Sequence, residues 1–275
     1  MKGFLIMRRL GILVVCLIQA IWGTHALPAQ VTQTDEHARF LAMGAVEKAS
    51  GIQIDGLNTK RREDIEETLF RFQEKVIGHF EKKVYVYEVT TGGYHISHNE
   101  LEYSSSTRAW LVAVSNDGMT FGLSGFADAG SAFNSLASKI GVNIGNSTQA
   151  ELFARLYLNV VLDDAGNIVY DDLRLKHQVE EHFVGYADSE EPLVEKEARY
   201  QAWWRRFERL NLRQIAPATN CNESSVCTAV FNVLSMTIGR PPELWRYSVE
   251  VKANGMTRLM EHRQVFPLGS KPDHN

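Results

Sequence analysis

Apolar positions along the chain recur first at helical spacing, then at strand spacing, then at helical and strand spacing again. Thr34 to Ala49 carries Ala38, Leu41, Ala42, Ala45 and Val46 on one helical face, and Gly51 offers a stop. Thr59 reads as an N-cap, with Glu63 and Asp64 in the turns that follow. Ile65, Leu69, Phe72, Val76 and Phe80 then recur at steps of four and three. That spacing predicts an amphipathic helix, with Glu66, Glu67, Glu74 and Lys75 off the stripe.

The pattern then shortens. Val84 to Thr91 is rich in β-branched and aromatic residues and predicts a strand. Gly92-Gly93 is a turn signal after which Tyr94 to Ser97 is expected to return as the partner. Arg108 to Ser115 and Met119 to Ser124 flank Asn116-Asp117-Gly118, a hairpin signal because the glycine accepts positive φ at no steric cost. The C-terminal region repeats the device. Trp245, Tyr247, Val249 and Val251 alternate with Arg246, Ser248, Glu250 and Lys252. Asn254-Gly255 is the turn, and Met256 to Phe266 the return strand. Thr228 to Thr237 reads as a further strand, with a short buried helix as the other reading.

The middle is helical. Ser131 to Ile140, Thr148 to Val161, Asp172 to Val184 and Glu190 to Leu212 each carry helical periodicity. The last is acidic at its start and basic at its end, which suits the helix dipole. No repeat and no Pro/Gly-rich linker stands out. The pattern predicts a single α+β domain over residues 27–275. Its antiparallel sheet is built from N-terminal and C-terminal hairpins, with the helical middle packed on one face.

Composition agrees with a globular chain: of 275 residues, 44% are hydrophobic and 23% charged. The first 26 residues read differently. Lys2, Arg8 and Arg9 precede Leu10 to Gly23, a run of 14 residues without charge, and Thr24-His25-Ala26 offers a cleavage site after Ala26. That is the layout of a secretory signal peptide. The run is shorter than the roughly 20 residues of a spanning helix. Cleavage after Ala29, a start at Met7, an uncleaved anchor, a twin-arginine leader at Arg8-Arg9 and a lipoprotein at Cys16 are the other readings. The poor residue before Cys16, Val15, disfavours the lipoprotein. Cleavage after Ala26 removes three cations and no acid, shifting the formal charge from -4 to -7. Such a chain is disfavoured as a nucleic-acid binder, and no stable membrane insertion is expected after cleavage.

Cys221 and Cys227 remain after cleavage, in the polar loop Asn220-Cys221-Asn222-Glu223-Ser224-Ser225-Val226-Cys227. An even count in an oxidising compartment predicts a disulfide.

The common catalytic and binding templates fit poorly. Gly122-Leu123-Ser124-Gly125-Phe126 lacks the final glycine of a nucleophile elbow. Gly141 to Ser147 has no lysine for a phosphate and reads as a loop before an N-capped helix. His177 and His182 are five apart, roughly 140° round a helix, so one ion could not readily take both. His95 and His98, three apart, point to opposite faces if they lie on a strand. Asp163-Asp164-Ala165-Gly166-Asn167 lacks the alternating oxygens of a calcium loop and reads as a polar turn, with Asp171-Asp172 nearby leaving a weak cation site open. Trp203-Trp204-Arg205-Arg206-Phe207 mixes aromatics and base, but Tyr200, Trp203, Trp204, Phe207 and Leu210 form one core-type stripe. Asn146-Ser147-Thr148 and Asn222-Glu223-Ser224 are glycosylation sequons, relevant in a glycosylating host.

No catalytic, cofactor or metal residues are assigned. The expected function is that of an exported, non-catalytic module binding a small molecule or a protein partner. The alternative is a secreted hydrolase using scattered residues such as His95, His98, Asp128 or Asp163.

Overall fold

A computed structural model describes residues 34–73, 84–91, 94–97, 100–103, 108–162, 167–185, 192–210, 215–237 and 240–266. For 94–97 and 100–103 only the backbone enters the description. The expected leader and cleavage site, Val76, Phe80, His98 and Asp163 to Gly166 lie outside these residues.

Helix α1 is Asp35–Ser50. The Thr34 hydroxyl accepts from the His37 amide at 3.3 Å, and Gly51 ends the helix at φ 73°. Strand β1 is Leu57–Arg61, followed by α2, Glu63–Arg71. Thr59 is therefore not a cap: it pairs with Val89 in the ladder to β2, Val84–Thr91. The acids that suggested a capped start at Thr59 fall in the first turn of α2 instead. Tyr94–Ser97 (β3) does not return along β2. It pairs with Glu100–Tyr103 (β4) in a separate hairpin, and β2 pairs with Ala109–Ser115 (β5). Thr120–Gly122 forms β6.

The middle helices are α3 (Ala129–Ile140), α4 (Ser147–Tyr157, continued by a π turn at Leu158–Leu162), α5 (Asp172–Val184) and α6 (Leu193–Glu208). Helix α6 starts after Pro192, which cannot donate within a helix, and so is shorter than the expected span. The last strands are β7 (Ala218–Cys221), β8 (Val226–Ser235), β9 (Glu243–Lys252) and β10 (Thr257–Phe266).

The chain is an α+β protein; among the described residues, and apart from the β3–β4 pair, the strands form two four-stranded antiparallel sheets, ordered β1-β2-β5-β6 and β7-β8-β9-β10. The two ends thus build a sheet each instead of sharing one. The physical reason lies in β5, where Trp110 to Ser115 are all buried, so both of its faces need cover. Helix α1 covers one face through Ala38, Ala42 and Val46. Helices α2, α3 and α4 fill the space between the two sheets, with Phe133, Leu136 and Phe153 in a core shared with Val86, Ala113, Phe231 and Val249. Helices α5 and α6 cover the far side of the second sheet, where Leu175, Tyr200, Trp203 and Phe207 meet Leu234, Leu244 and Phe266. Tyr200, Trp203 and Phe207 are buried, as the stripe predicts.

Both sheets follow one plan. Each is a meander, and each ends in a three-residue hairpin loop. In the first, Ser115 N–H donates to Met119 O and Gly118 N–H to Ser115 O. In the second, Lys252 N–H donates to Met256 O and Gly255 N–H to Lys252 O. The glycines sit at φ 85° and 78°, as this turn geometry requires. The correspondence is one of strand order and turn geometry, carried by few shared letters beyond Gly-Met-Thr. Among the described residues no helix is long and apolar enough to cross a membrane.

Candidate functional site

The two hairpin tips converge on α3. Helix α3 turns Phe133, Leu136, Ala137 and Ile140 into the core. Ser131, Asn134, Ser135 and Ser138 recur at steps of three, one and three and share its outward face. These small side chains leave a groove of about 540 Å³ between the tips. Phe121 of β6 and Lys139 complete the lining. The rims are Met119 and Met256, exposed to 50% and 41% of their surface.

Each tip is fastened to the helix. Lys139 Nζ forms an ion pair with Asp117, and the Ser115 hydroxyl donates to Asp117 Oδ1 at 2.6 Å. Lys139 first, then Ser115, hold the Asp117 carboxyl below its ordinary pKa. At the other tip, the Asn134 side chain donates to Thr257 O at 2.9 Å and accepts from Thr257 N–H at 2.7 Å. Gly255 lies so close to α3 and the loop after it that an added Cβ would stand 2.6 Å from Val142 Cγ1. The Ser135 hydroxyl donates to Ser131 O at 3.0 Å, a bond that leaves its acceptor capacity unused.

The arrangement offers hydroxyls that can donate or accept above a buried phenyl ring, between two flexible thioethers. Asp128 is exposed at the start of α3 and makes no cap bond, and His95 lies on β3 opposite Glu102. The His95 side chain, His98 and Asp163 fall outside what the structure describes. Ser124 stays in strand-like pairing, its carbonyl accepting from Leu111 N–H at 3.0 Å. His182 Nε2 bonds with Arg240 O at 3.0 Å, while His177 is exposed. Asp171 caps α5, accepting from Arg174 N–H at 2.7 Å. Gly141 closes α3 at φ 72° and Asn146 caps α4, so the segment 141–147 is the expected loop before a capped helix. Among the described residues no group of three His, Cys, Asp or Glu side chains is placed to hold a metal ion.

Cys221 and Cys227 are bonded across the β7–β8 hairpin, directly opposite one another in the register. Asn222 Oδ1 accepts from Ser224 N–H and Val226 N–H inside the closed loop.

A second charged constellation ties α1 and α2 to the first sheet. Arg61 meets Glu66 at 2.8 Å and Asp35 at 3.3 Å, and the Tyr87 hydroxyl donates to Asp35 Oδ1 at 2.6 Å. Burial, then the Asp35 carboxylate, raise the Tyr87 pKa, which keeps the phenol protonated as a donor. Glu66 also accepts from Val86 N–H at 2.8 Å, which identifies this network as a clasp.

No protein-family model, curated protein or solved structure matches the chain. The functional reading therefore stands on the groove itself. Sequence reasoning missed it because its lining comes from residues 119–139 and from Met256, and a serine-bearing helix face reads as ordinary solvent surface.

Proposed function

We propose that the chain is an exported, non-catalytic binding module and that the groove over α3 takes an extended peptide segment of a partner protein. The observation that carries this reading is the pair of exposed methionines that line one groove with a hydroxyl-bearing helix face. Methionine adapts its shape to varied apolar side chains. A peptide backbone alternates donor and acceptor, and serine hydroxyls can answer either. Export is supported by the charged start, the uncharged run at Leu10 to Gly23 and the Ala26 site. The mature charge of -7 fits neither nucleic acid nor an anionic membrane surface as the occupant.

Selection of a displayed peptide library on the immobilised mature chain tests the reading, with Ser135→Trp as the blocked control. The expected peptides share one large apolar residue and bind the control about tenfold more weakly, a loss of about 1.4 kcal/mol. Peptides that bind both proteins equally, or no enrichment at all, overturn it. Amino-terminal sequencing of the native product tests export: a start at Leu27 supports it, and an intact Met1 overturns it.

A further inference from the structure

The two hairpins that flank the groove differ in one backbone feature. Each carries Gly-Met-Thr at its turn, Gly118-Met119-Thr120 in the first sheet and Gly255-Met256-Thr257 in the second. In both, the methionine carbonyl accepts from the strand before it, from Ser115 N–H at 2.9 Å and from Lys252 N–H at 2.9 Å. Hydrogen-bonded and open pairs alternate along an antiparallel ladder. The threonine that follows, opposite Val114 or Val251, therefore turns its N–H and C=O away from its partner strand. Strands β6 and β10 each stand last in their sheet, so these groups lie on a strand edge. Helix α3 packs against both strands. At Thr257 the Asn134 carboxamide answers both groups, donating to the carbonyl at 2.9 Å and accepting from the amide at 2.7 Å. At Thr120 the same two groups are open: among the described residues no hydrogen bond reaches them, and the residue is exposed.

A carboxamide carries the donor and acceptor of a peptide group, so Asn134 shows how backbone seats itself on this kind of edge. Met119 and Phe121, on either side of Thr120, both line the groove, which puts the open pair on its β6 wall. An unpaired strand edge is a template for another strand, and an antiparallel one meets both groups of Thr120 with a single residue. We infer that the partner's segment binds as a fifth strand of the first sheet, antiparallel to β6, an inference that rests on the groove being a peptide site. The paired residue donates its N–H to Thr120 C=O and accepts from Thr120 N–H. Residues directly opposite in a ladder share a face. The paired residue therefore turns its side chain away from the groove, and its neighbours, opposite Met119 and Phe121, turn theirs into it. The partner is thus a chain offering an extended, unpaired stretch in which apolar side chains alternate with others.

The test uses the chain from Leu27 onward and synthetic copies of the most enriched library peptide, each methylated at one backbone nitrogen. Methylation of one neighbour of the large apolar residue is expected to weaken binding about tenfold or more. Methylation of the apolar residue itself, whose N–H points away from β6, leaves binding within about twofold. On the protein side, Thr120→Pro removes the donor at a strand edge, where proline is tolerated, and is expected to weaken binding equally with Tm kept. Thr120→Val, which keeps the backbone groups, binds as wild type does. Should Thr120→Pro unfold the chain, the methylation series decides alone. A peptide that Ser135→Trp blocks, but that no single methylation weakens, overturns strand addition and leaves the groove a peptide site. Losses of equal size at consecutive nitrogens, or in Thr120→Val as in Thr120→Pro, also overturn it. A library that yields no peptide overturns both.

Discussion

The Asn134 amide and the Thr257 backbone exchange two hydrogen bonds, at 2.9 and 2.7 Å, across 123 residues of sequence. A helix side chain thereby does for the first residue of β10 what a neighbouring strand would do. Thr257 is only 4% exposed, so its amide has no water to fall back on. Asn134→Ala is expected to cost about 1–3 kcal/mol, because it leaves a buried donor and acceptor unmatched. Asn134→Asp recovers little, since a carboxylate accepts from the amide but cannot donate to the carbonyl. Urea unfolding of the three proteins checks both statements.

Acid lowers stability through Asp117. Its carboxyl is held below the ordinary value in the fold, chiefly by Lys139. A depressed folded pKa contributes stability that is present above the unfolded value, near 4. That stability is lost as pH falls through the lower folded value. The pair is partly exposed, so salt screens it. Asp117→Asn is expected to flatten the decline in Tm below about pH 4 relative to wild type, and to do so less at high salt. An identical decline in both proteins would contradict the pairing.

The two glycines Gly51 and Gly255 separate conformational strain from crowding. Both have positive φ, 73° and 78°. A Cβ added at Gly51 would meet nothing within 4 Å, whereas one added at Gly255 would stand 2.6 Å from Val142 Cγ1. Gly51→Ala is expected to cost about 1–2 kcal/mol from backbone strain alone. Gly255→Ala adds displacement of Val142 and should cost clearly more. Equal losses in denaturant titrations would contradict the docking of that hairpin on α3.

Reduction of the Cys221–Cys227 bond releases a short hairpin whose outer strand, β7, has only four residues. The chain-entropy cost of the freed loop predicts a loss of about 2 kcal/mol. Thermal unfolding with and without reductant measures it, with a Cys221→Ser, Cys227→Ser double variant as the control that reductant leaves unchanged.

Local features of the fold were the legible ones. Helix α5 spans Asp172–Val184 as its periodicity predicts, and both Gly-Met-Thr turns sit where Asp-Gly and Asn-Gly place them. The Cys221–Cys227 bond is the one that an even count and an expected export route predict. What was illegible depends on partners distant in sequence. Thr59 carries good cap chemistry, but pairing with Val89 took precedence over it. The alternation in β9 shows two faces, yet the burial of both faces of β5 and the packing of α3 and α4 between the sheets set the division into two sheets. The groove needs Met119 and Met256 side by side, and nothing local to either residue signals the other.

Methyl NMR of the chain from Leu27 onward, with labelled methionine, measures the central claim most directly when a library-selected peptide is added. The ε-methyl signals of Met119 and Met256 are expected to shift together and saturate at one stoichiometry, while Met236 and Met260, exposed elsewhere, stay in place. Shifts at Met236 or Met260 with Met119 and Met256 unmoved would contradict the groove as the binding surface.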